Sequence, residues 1–235
     1  MITIRKSDSR FQADRGWLQS RFTFSFADYN DPAHAGFRSL RVMNEDRISP
    51  GKGFGPHAHR DMEIITYVLE GKLQHRDSMS GPHTMGPNEI QTMSAGNGIV
   101  HSESNASQTE PLHLMQIWIE PSAEDLPPSY QQVAVPLSAK RGRLHLIAGP
   151  ADSQHSPPTT INQDARLYVS ELGAGEAVSQ ELTSGRHAWV QVVRGEALLN
   201  GQPLREGDGA SVSGEPRIEV KGGASGGEIL LFDLA

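Results

Sequence analysis

The sequence predicts an all-β protein built from antiparallel barrels. Short segments rich in β-branched and aromatic residues recur along the chain and are separated by glycine-bearing turns. The chain of 235 residues contains 24 glycines and 15 prolines, and no long stretch keeps the apolar period of a helix. Its length suits one large β domain or two small ones. A loose internal repeat, 62–77 against 188–208, favours two small barrels, because each copy has a strand, a glycine turn and a second strand.

The strand-like segments fall into two groups on either side of a proline-containing break. The segment PSAEDLPPSYQQ begins at Pro121 and can form one capped helical turn before the Pro127-Pro128 pair ends it, so it is predicted to be a linker. The predicted domains are 1–122 and 143–235, joined by a linker at 123–142, with a polar loop from Gly149 to Thr160. The predicted strand segments are, in chain order, 36–48, 62–78, 112–121, 143–149, 165–172, 187–201 and 227–234.

Composition excludes several classes of function. The formal net charge of −7 argues against the basic surface that holds phosphate backbones, so no direct nucleic-acid partner is expected. The absence of cysteine removes thiolate nucleophiles, disulfides, iron–sulfur clusters and cysteine-based zinc sites. No segment has the apolar length of a signal peptide or a membrane span, so a cytoplasmic protein without a membrane partner is expected. Any metal must therefore be held by histidine and carboxylate.

Two short motifs carry the candidate chemistry, and seven of the ten histidines lie in the predicted first domain that contains them. In GKGFGPHAHRDME (51–63), His57 and His59 are two residues apart, so their side chains point to the same face of an extended strand. In AGNGIVHSESN (95–105), His101 and Glu103 repeat that spacing. Two such strands facing each other would present three imidazoles and one carboxylate to a single ion. This donor set favours iron, manganese, nickel, copper or zinc over calcium and magnesium.

The alternative is that these residues have no ligand role. A single His-x-His pair occurs by chance on surface strands, and a buried histidine is more often a hydrogen-bonded core residue than a ligand. The two motifs occur together, however, and each lies beside glycines that allow tight turns at the mouth of a barrel. Their joint occurrence favours a metal site over a barrel with polar filling.

Longer strings resemble a known family. The pattern G-x5-H-x-H-x3-E from Gly51 to Glu63, followed by H-x3-N from His101 to Asn105, is similar to the two cupin motifs. The strings RGWLQSRFTFSFADYN, from Arg15, and IQTMSAGNGIVHSESN resemble the pirin family of bicupins, in particular its bacterial members described as quercetin 2,3-dioxygenase-like. The likeness is dense as far as about Pro121 and sparser beyond it.

The resemblance implies a bicupin, that is, two antiparallel jelly-roll type cupin barrels, with one metal in the N-terminal barrel. The implied ligands are His57, His59, His101 and Glu103. Glu63 is expected to support a ligand, because in pirin-like proteins the carboxylate ligand comes from the second motif. Iron(II) is the first expectation for the ion, with Mn²⁺, Ni²⁺, Cu²⁺, Zn²⁺ or Co²⁺ also open.

Three details depart from this pattern or lie outside it. The family often has histidine in the string H-T-F-S-F, where this chain has RFTFSF from Arg21 to Phe26, so the imidazole is replaced by a fixed cation or shifted in register. If that histidine belongs to the pocket wall, the substrate preference of this chain differs, whereas the metal ligands are unaffected. His187 has no neighbouring ligand motif, so the C-terminal barrel is predicted to lack a metal site and to be structural. His83, in the turn-like SGPHTMG, is predicted to be exposed to solvent.

The implied reaction is cleavage of the ring of quercetin or a related flavonol by O2, with Glu103 as metal ligand and general base. Two alternatives stay open. One is a pirin-like regulatory or redox-sensing module that acts on a partner protein, and the other is a different small-molecule reaction, such as an isomerisation, for which zinc would suffice. A monomer is expected, because a bicupin already pairs two barrels in one chain.

Overall fold

The computed structural model describes residues 1–151 and 156–235, and its regular structure is almost entirely β. His155, in the predicted loop after Gly149, lies outside the described residues. The strands are β1 (Ile2–Arg5), β2 (Phe11–Asp14), β3 (Leu18–Phe22), β4 (Leu40–Ile48), β5 (Gly53–His59), β6 (Glu63–Glu70), β7 (Leu73–Asp77), β8 (His83–Met85), β9 (Glu89–Ser94), β10 (Ile99–Asn105), β11 (Leu112–Ile119), β12 (Ser129–Ala134), β13 (His145–Gly149), β14 (Thr159–Thr160), β15 (Ala165–Leu172), β16 (Ala177–Glu181), β17 (His187–Leu199), β18 (Gln202–Arg205), β19 (Gly209–Ser213) and β20 (Arg217–Leu234). The helices are the α-helix α1 (Leu137–Lys140) and two 3₁₀ turns, Ser7–Ser9 and Pro32–His34.

All seven predicted strand segments contain strands, which confirms the all-β prediction. One detail of the internal repeat is wrong. Gly71 separates β6 from β7 as predicted, but Gly195 lies inside β17, at a register shift in its pairing with β20. Gly195 has a positive φ of 68°, which lets the strand bend at a bulge and continue instead of turning back.

Contacts divide the chain into two units. The N-terminal unit comprises 11–134 and 159–163, and the C-terminal unit comprises 1–10, 135–158 and 164–235. The first ten residues therefore belong with the C-terminal strands, where β1 pairs with β19. The domain boundaries proposed from composition stay a prediction.

The N-terminal unit contains two antiparallel sheets. The larger has the strand order β12-β9-β6-β11-β4-β3-β2, and the smaller has the order β5-β10-β7-β8. Its inner strands carry runs such as EIITYVLE in β6 and LHLMQIWI in β11, whose residues are almost all buried. Apolar side chains pack between the two sheets, as Leu73 of β7 does with Leu112 and Leu114 of β11. Polar side chains also meet between the sheets, as Glu103 of β10 does with Gln116 of β11.

The C-terminal unit is built around the long pairing of β17 with β20, which extends from His187 opposite Leu234 to Leu199 opposite Val220. Its main apolar cluster includes Val190, Val212 and Leu231. Such burial contributes about 25 cal/mol for each Å² of apolar surface removed from water. The same unit also buries an ion pair, because Lys140 Nζ donates to Glu228 Oε1 over 2.6 Å. Among the described residues no helix has the length and apolar character needed to cross a membrane.

Candidate metal centre

The three motif histidines lie on two neighbouring strands. In the antiparallel pairing of β5 with β10, His101 is opposite His57 and Ile99 is opposite His59. The ring centroid of His101 lies 4.4 Å from that of His57 and 4.8 Å from that of His59. The rings of His57 and His59 are themselves 4.8 Å apart. The three imidazoles therefore face one another, with one nitrogen of each within 4.8 Å of the others.

Glu103 joins this arrangement through His101. The pairing of β10 with β5 shifts register between His101 and Glu103, which brings the Glu103 side chain to a position where it is only 3 % exposed. Its carboxylate lies within 4.8 Å of ligand nitrogens of His101 and His75. Two triads that share His101 are thus formed, one with His57 and His59 and the other with His75 and Glu103. They contain the four residues predicted as ligands and His75 as a fifth.

Two polar side chains of the larger sheet hold the Glu103 carboxylate. Nε2 of Gln116, on β11, donates to Oε2 of Glu103 over 2.8 Å, and Oγ1 of Thr66, on β6, lies 3.4 Å from Oε1. Each is a polar residue within an otherwise mostly apolar strand, and that interruption is the signal in the sequence by which both could have been found. Sequence reasoning did not identify either residue.

Glu63 takes a different place from the one expected. It is fully buried at the start of β6, and its Oε1 accepts hydrogen bonds from Ser94 Oγ at 2.8 Å and Asn162 Nδ2 at 3.0 Å. These bonds tie it to β9 and to the segment 159–163 rather than to a histidine. Neither of these hydrogen bonds reaches a predicted ligand, so they give no support to the expectation that Glu63 holds one in place.

His75 is the fourth imidazole beside the cluster. It is completely buried on β7, where its Nε2 lies 2.9 Å from Oδ2 of Asp77 and its Nδ1 lies 3.4 Å from Nε2 of Gln91. Both ring nitrogens therefore have protein partners, and Nδ1 is 4.0 Å from Glu103 Oε1. This arrangement suits a side chain that orients Glu103 better than one that binds an ion directly.

Burial controls the protonation of the cluster. Burial, together with repulsion from neighbouring histidines, lowers the pKa of His101 to about 3 and that of His59 to about 4. Burial also raises the pKa of Glu103 to about 7, although hydrogen bonds from Gln116, Gln91 and Thr66 act in the opposite direction. At neutral pH the His59 and His101 imidazoles are therefore neutral, which is the form that binds a metal.

The donor set fits a divalent transition metal. Nδ1 of His57 lies 2.8 Å from the Gly55 carbonyl oxygen, which can only accept a hydrogen bond, so Nε2 is the ring nitrogen that remains to bind an ion. Nε2 of His101 is 3.0 Å from that Nε2. Two nitrogens that are each about 2.1 Å from one ion and at a right angle to each other are about 3 Å apart. Three imidazoles beside a buried carboxylate thus match the ligand preferences of these metals.

A cavity of about 460 Å³ opens in front of the histidines. Its volume lies within the usual range for a small-molecule site. His57, His59, His101 and Glu103 line one part of it, and most of the remaining wall is aromatic or aliphatic, including Trp17, Leu18, Phe22, Phe26, Phe54, Ile64 and Trp118. The surface of the cavity is mainly apolar, so a planar aromatic ligand would be well matched to it.

Arg21 does not contribute to this wall. On β3, residues alternate between the buried Leu18, Ser20 and Phe22, which line the cavity, and exposed residues that include Arg21. Arg21 therefore does not change the wall of this cavity, whereas its neighbour Phe22 is part of it, because a strand places successive side chains on opposite faces.

Comparisons with known proteins decide the family. The family model described as Pirin matches residues 4–119, and the model described as Quercetinase C-terminal cupin domain matches residues 146–234. A protein of Escherichia coli (strain K12) named quercetin 2,3-dioxygenase is 44 % identical over 234 residues, which cover 100 % of this chain and 99 % of that protein. The chain belongs to the pirin family. The two matches also confirm the bicupin prediction.

Other pirin-family relatives cover the whole chain. A Pseudomonas aeruginosa protein named putative quercetin 2,3-dioxygenase is 39 % identical over 235 residues and covers 100 % of both chains. The crystal structure of the bacterial pirin YhhW from Escherichia coli in complex with nickel(II) is 43 % identical, has a TM-score of 0.92, and covers 100 % of this chain and 99 % of that one. That relative binds a divalent transition metal, the class of ion that the donor set of this pirin-family chain fits.

Gly53 allows β5 to approach β10 closely in this pirin-family site. A Cβ at Gly53 would lie 2.2 Å from the Glu103 carbonyl oxygen, whereas a Cβ at Gly55, also on β5, would have no heavy atom within 4 Å. We expect Gly53→Ala to lower the free energy of unfolding by about 1–3 kcal/mol and to reduce metal content, because the strands must separate. Gly55→Ala is the matched control. Urea unfolding and elemental analysis measure both effects, and equal behaviour of the two variants would contradict the explanation.

Proposed function

We propose that the protein is a metal-dependent dioxygenase that opens the ring of quercetin or a related flavonol with O2. The observation that carries this proposal is a cluster of three imidazoles and a buried carboxylate at the wall of a largely aromatic cavity. Relatives that cover the whole chain are named quercetin 2,3-dioxygenase, which supports the same class of substrate.

The proposed ligands are His57, His59, His101 and Glu103, and the bound ion would be redox-capable. Held by these four residues, such an ion would supply stabilisation of negative charge on the flavonol oxygens and redox chemistry toward O2. The two substrates then become a depside and carbon monoxide, so that every atom of the flavonol and of O2 is accounted for.

Glu103 is the proposed general base. Its buried carboxylate lines the cavity, so it can accept the proton of a flavonol 3-hydroxyl bound there. The Gln116 hydrogen bond to Oε2 and the Thr66 contact to Oε1 keep the carboxylate in one orientation in the cavity wall. Proton removal makes the ring electron-rich, which is the state that reacts with O2.

The aromatic wall would hold the flavonol and exclude water. Trp17 and Phe54 meet edge to face at 5.4 Å, and Trp118 meets the His59 ring in the same manner at 4.8 Å. Packed rings of this kind favour a planar ligand and keep the site at low dielectric. Low dielectric in turn strengthens the interaction of the flavonolate with a cation.

The test is anaerobic reconstitution with Fe(II), Mn(II), Co(II), Ni(II), Cu(II) or Zn(II), followed by quercetin and air. Loss of the visible absorbance of quercetin and release of carbon monoxide are measured. We expect turnover with at least one redox-capable ion and none with Glu103→Gln or with zinc. A protein that binds metal stoichiometrically but shows no turnover with any ion would contradict the proposal and favour the regulatory alternative.

A further inference from the structure

Among the described residues, three buried polar atoms of the cavity wall have no hydrogen-bond partner, and two of them, His101 Nδ1 and Trp118 Nε1, belong to rings at the metal centre. The third is the amide oxygen of Asn44. Asn44, on β4, is 2 % exposed and lines the cavity, and its Oδ1 forms no hydrogen bond. Leaving a buried amide oxygen unsatisfied costs about 1–3 kcal/mol, so most such groups have a partner. Asn44 is not needed to hold the histidines or Glu103, and neither motif of the sequence includes it.

The strand register shows where Asn44 lies relative to the cluster. Asn44 is directly opposite Gln116 of β11 on one side and Phe22 of β3 on the other. Glu103 contacts β6 and β11 through Thr66 and Gln116. Asn44 is therefore one strand beyond Gln116, on the side away from Glu103, and a ligand that extends across the cavity from the cluster passes this position.

Two residues after Asn44 on β4, a second polar side chain, Asp46, faces the same cavity. Asp46 is 4 % exposed, lines the same cavity, and accepts a hydrogen bond from Ser20 Oγ on β3. Side chains two residues apart on a strand share a face and are about 7 Å apart. Asn44 and Asp46 thus form a short row of hydrogen-bonding groups in a cavity whose other walls are largely aromatic and aliphatic.

We propose that Asn44 is a specificity-determining residue that accepts a hydrogen bond from a phenolic hydroxyl at the end of the substrate remote from Glu103. The cavity would then select polyphenols that carry hydroxyls away from the reacting 3-hydroxyl. This inference rests on the proposed function for its substrate class. Its physical basis is that a buried acceptor discriminates against a ligand that leaves it unpaired, more strongly than an apolar wall does.

Binding of two flavonols tests the inference apart from catalysis. Quercetin and 3-hydroxyflavone both carry the 3-hydroxyl, but 3-hydroxyflavone lacks all the others. Calorimetry with the metal-loaded protein under argon gives the ratio of their dissociation constants without turnover. We expect quercetin to bind about tenfold more tightly to the unchanged protein, and this ratio to fall to about twofold in Asn44→Leu. Asn44→Ala, which adds no bulk, is expected to give the same fall and covers the case in which leucine is not accommodated.

The outcomes separate the inference from the proposed function. A quercetin preference that persists in both folded variants would overturn the inference and would indicate that only water meets the Asn44 amide. Absence of any preference in the unchanged protein would overturn it as well. Failure of every metal-loaded form to turn over quercetin in air would contradict the proposed function, yet the loss of binding preference at Asn44 would still be measurable. The kcat/KM ratio for the two flavonols is expected to follow the binding ratio wherever turnover occurs.

Discussion

Replacing His101 with alanine is expected to abolish metal binding and turnover together. His101 is the one residue that belongs to both triads, and its Nε2 lies 3.0 Å from that of His57. Removing it leaves the imidazoles of β5 without their opposite partner and disconnects Glu103 from them. Elemental analysis should show a fall from about one ion per chain to less than a tenth, which corresponds to an affinity loss of more than a hundredfold.

Two further histidine variants serve as controls for the loss of metal in His101→Ala. His75→Ala removes an imidazole whose nitrogens are occupied by Asp77 and Gln91, so it should weaken metal binding by about 10- to 100-fold without abolishing it. His113 is equally buried, but its Nε2 pairs with Glu45 over 3.0 Å, away from the triads. His113→Gln can keep that hydrogen bond and is expected to retain the ion. Full metal content in folded His101→Ala would exclude the proposed ligand set.

The local geometry of the cluster could be predicted because it depends on the strand period alone. The spacing of His57 and His59, and of His101 and Glu103, places each pair on one face of an extended strand whatever the rest of the fold. The pairing of His101 with His57 could not be obtained in this way, since it requires the register of two strands about forty residues apart. The joint occurrence of the two motifs and the resemblance to bicupins both predicted one shared site, but neither gave the register of the two strands.

The residues that were missed share a different property. Gln116 and Thr66 are polar residues inside mostly apolar strands, and Asn44 begins the polar run NEDR on β4. All three lie on strands of the larger sheet whose residues are mostly buried. A hydrophobic pattern identifies such strands as core but does not tell which tolerated polar residue faces a cavity and which faces a neighbouring strand. Burial of these groups becomes informative only once their hydrogen-bond partners are known.

His83 shows the opposite error. Its glycine- and proline-containing surroundings predict an exposed turn, yet it begins β8, is half-buried, and stacks on the Tyr130 ring at 4.5 Å. The prediction of exposure is wrong because β8 pairs with β7, which places His83 opposite His75. Turn-forming residues near a strand end therefore indicate where the strand begins and ends but not whether it is covered.

Glu103→Gln is expected to stabilise the metal-free protein while it abolishes turnover. The raised pKa of about 7 means that folding opposes ionisation of this buried carboxylate. Below the unfolded-state pKa of about 4.5, Glu103 is protonated in both the folded and the unfolded protein, so it does not lower the free energy of unfolding. As the pH rises, the unfolded state loses this proton first, and the loss of folding stability is complete above about pH 7. The difference between these values corresponds to roughly 3 kcal/mol. Thermal unfolding should therefore show a gain for Glu103→Gln at pH 8 that disappears at pH 4.

Glu63→Gln is the matched control for this effect. Burial raises the pKa of Glu63 too, and hydrogen bonds from Ser94 and Asn162 act against that rise. A stabilisation at alkaline pH is therefore expected in both variants, but only Glu103 lies in a triad with His101. Glu63→Gln should keep its metal and its turnover of quercetin. Loss of turnover in both variants would indicate that buried carboxylates act through the fold rather than through the ion.

Added metal should reverse the order of stability. An ion bound by the Glu103 carboxylate compensates its charge, so the unchanged protein and Glu63→Gln gain stability from the ion in proportion to its affinity. Glu103→Gln offers a neutral amide in that position and should gain much less. Metal binding requires an ionised Glu103 carboxylate, so the unchanged protein should release about one proton per ion at pH 6 and almost none at pH 8. Calorimetry in two buffers with different heats of ionisation measures this difference in proton release. The same proton release from Glu103→Gln would show that the titrating group lies elsewhere, and Glu103 would then be neither ligand nor base.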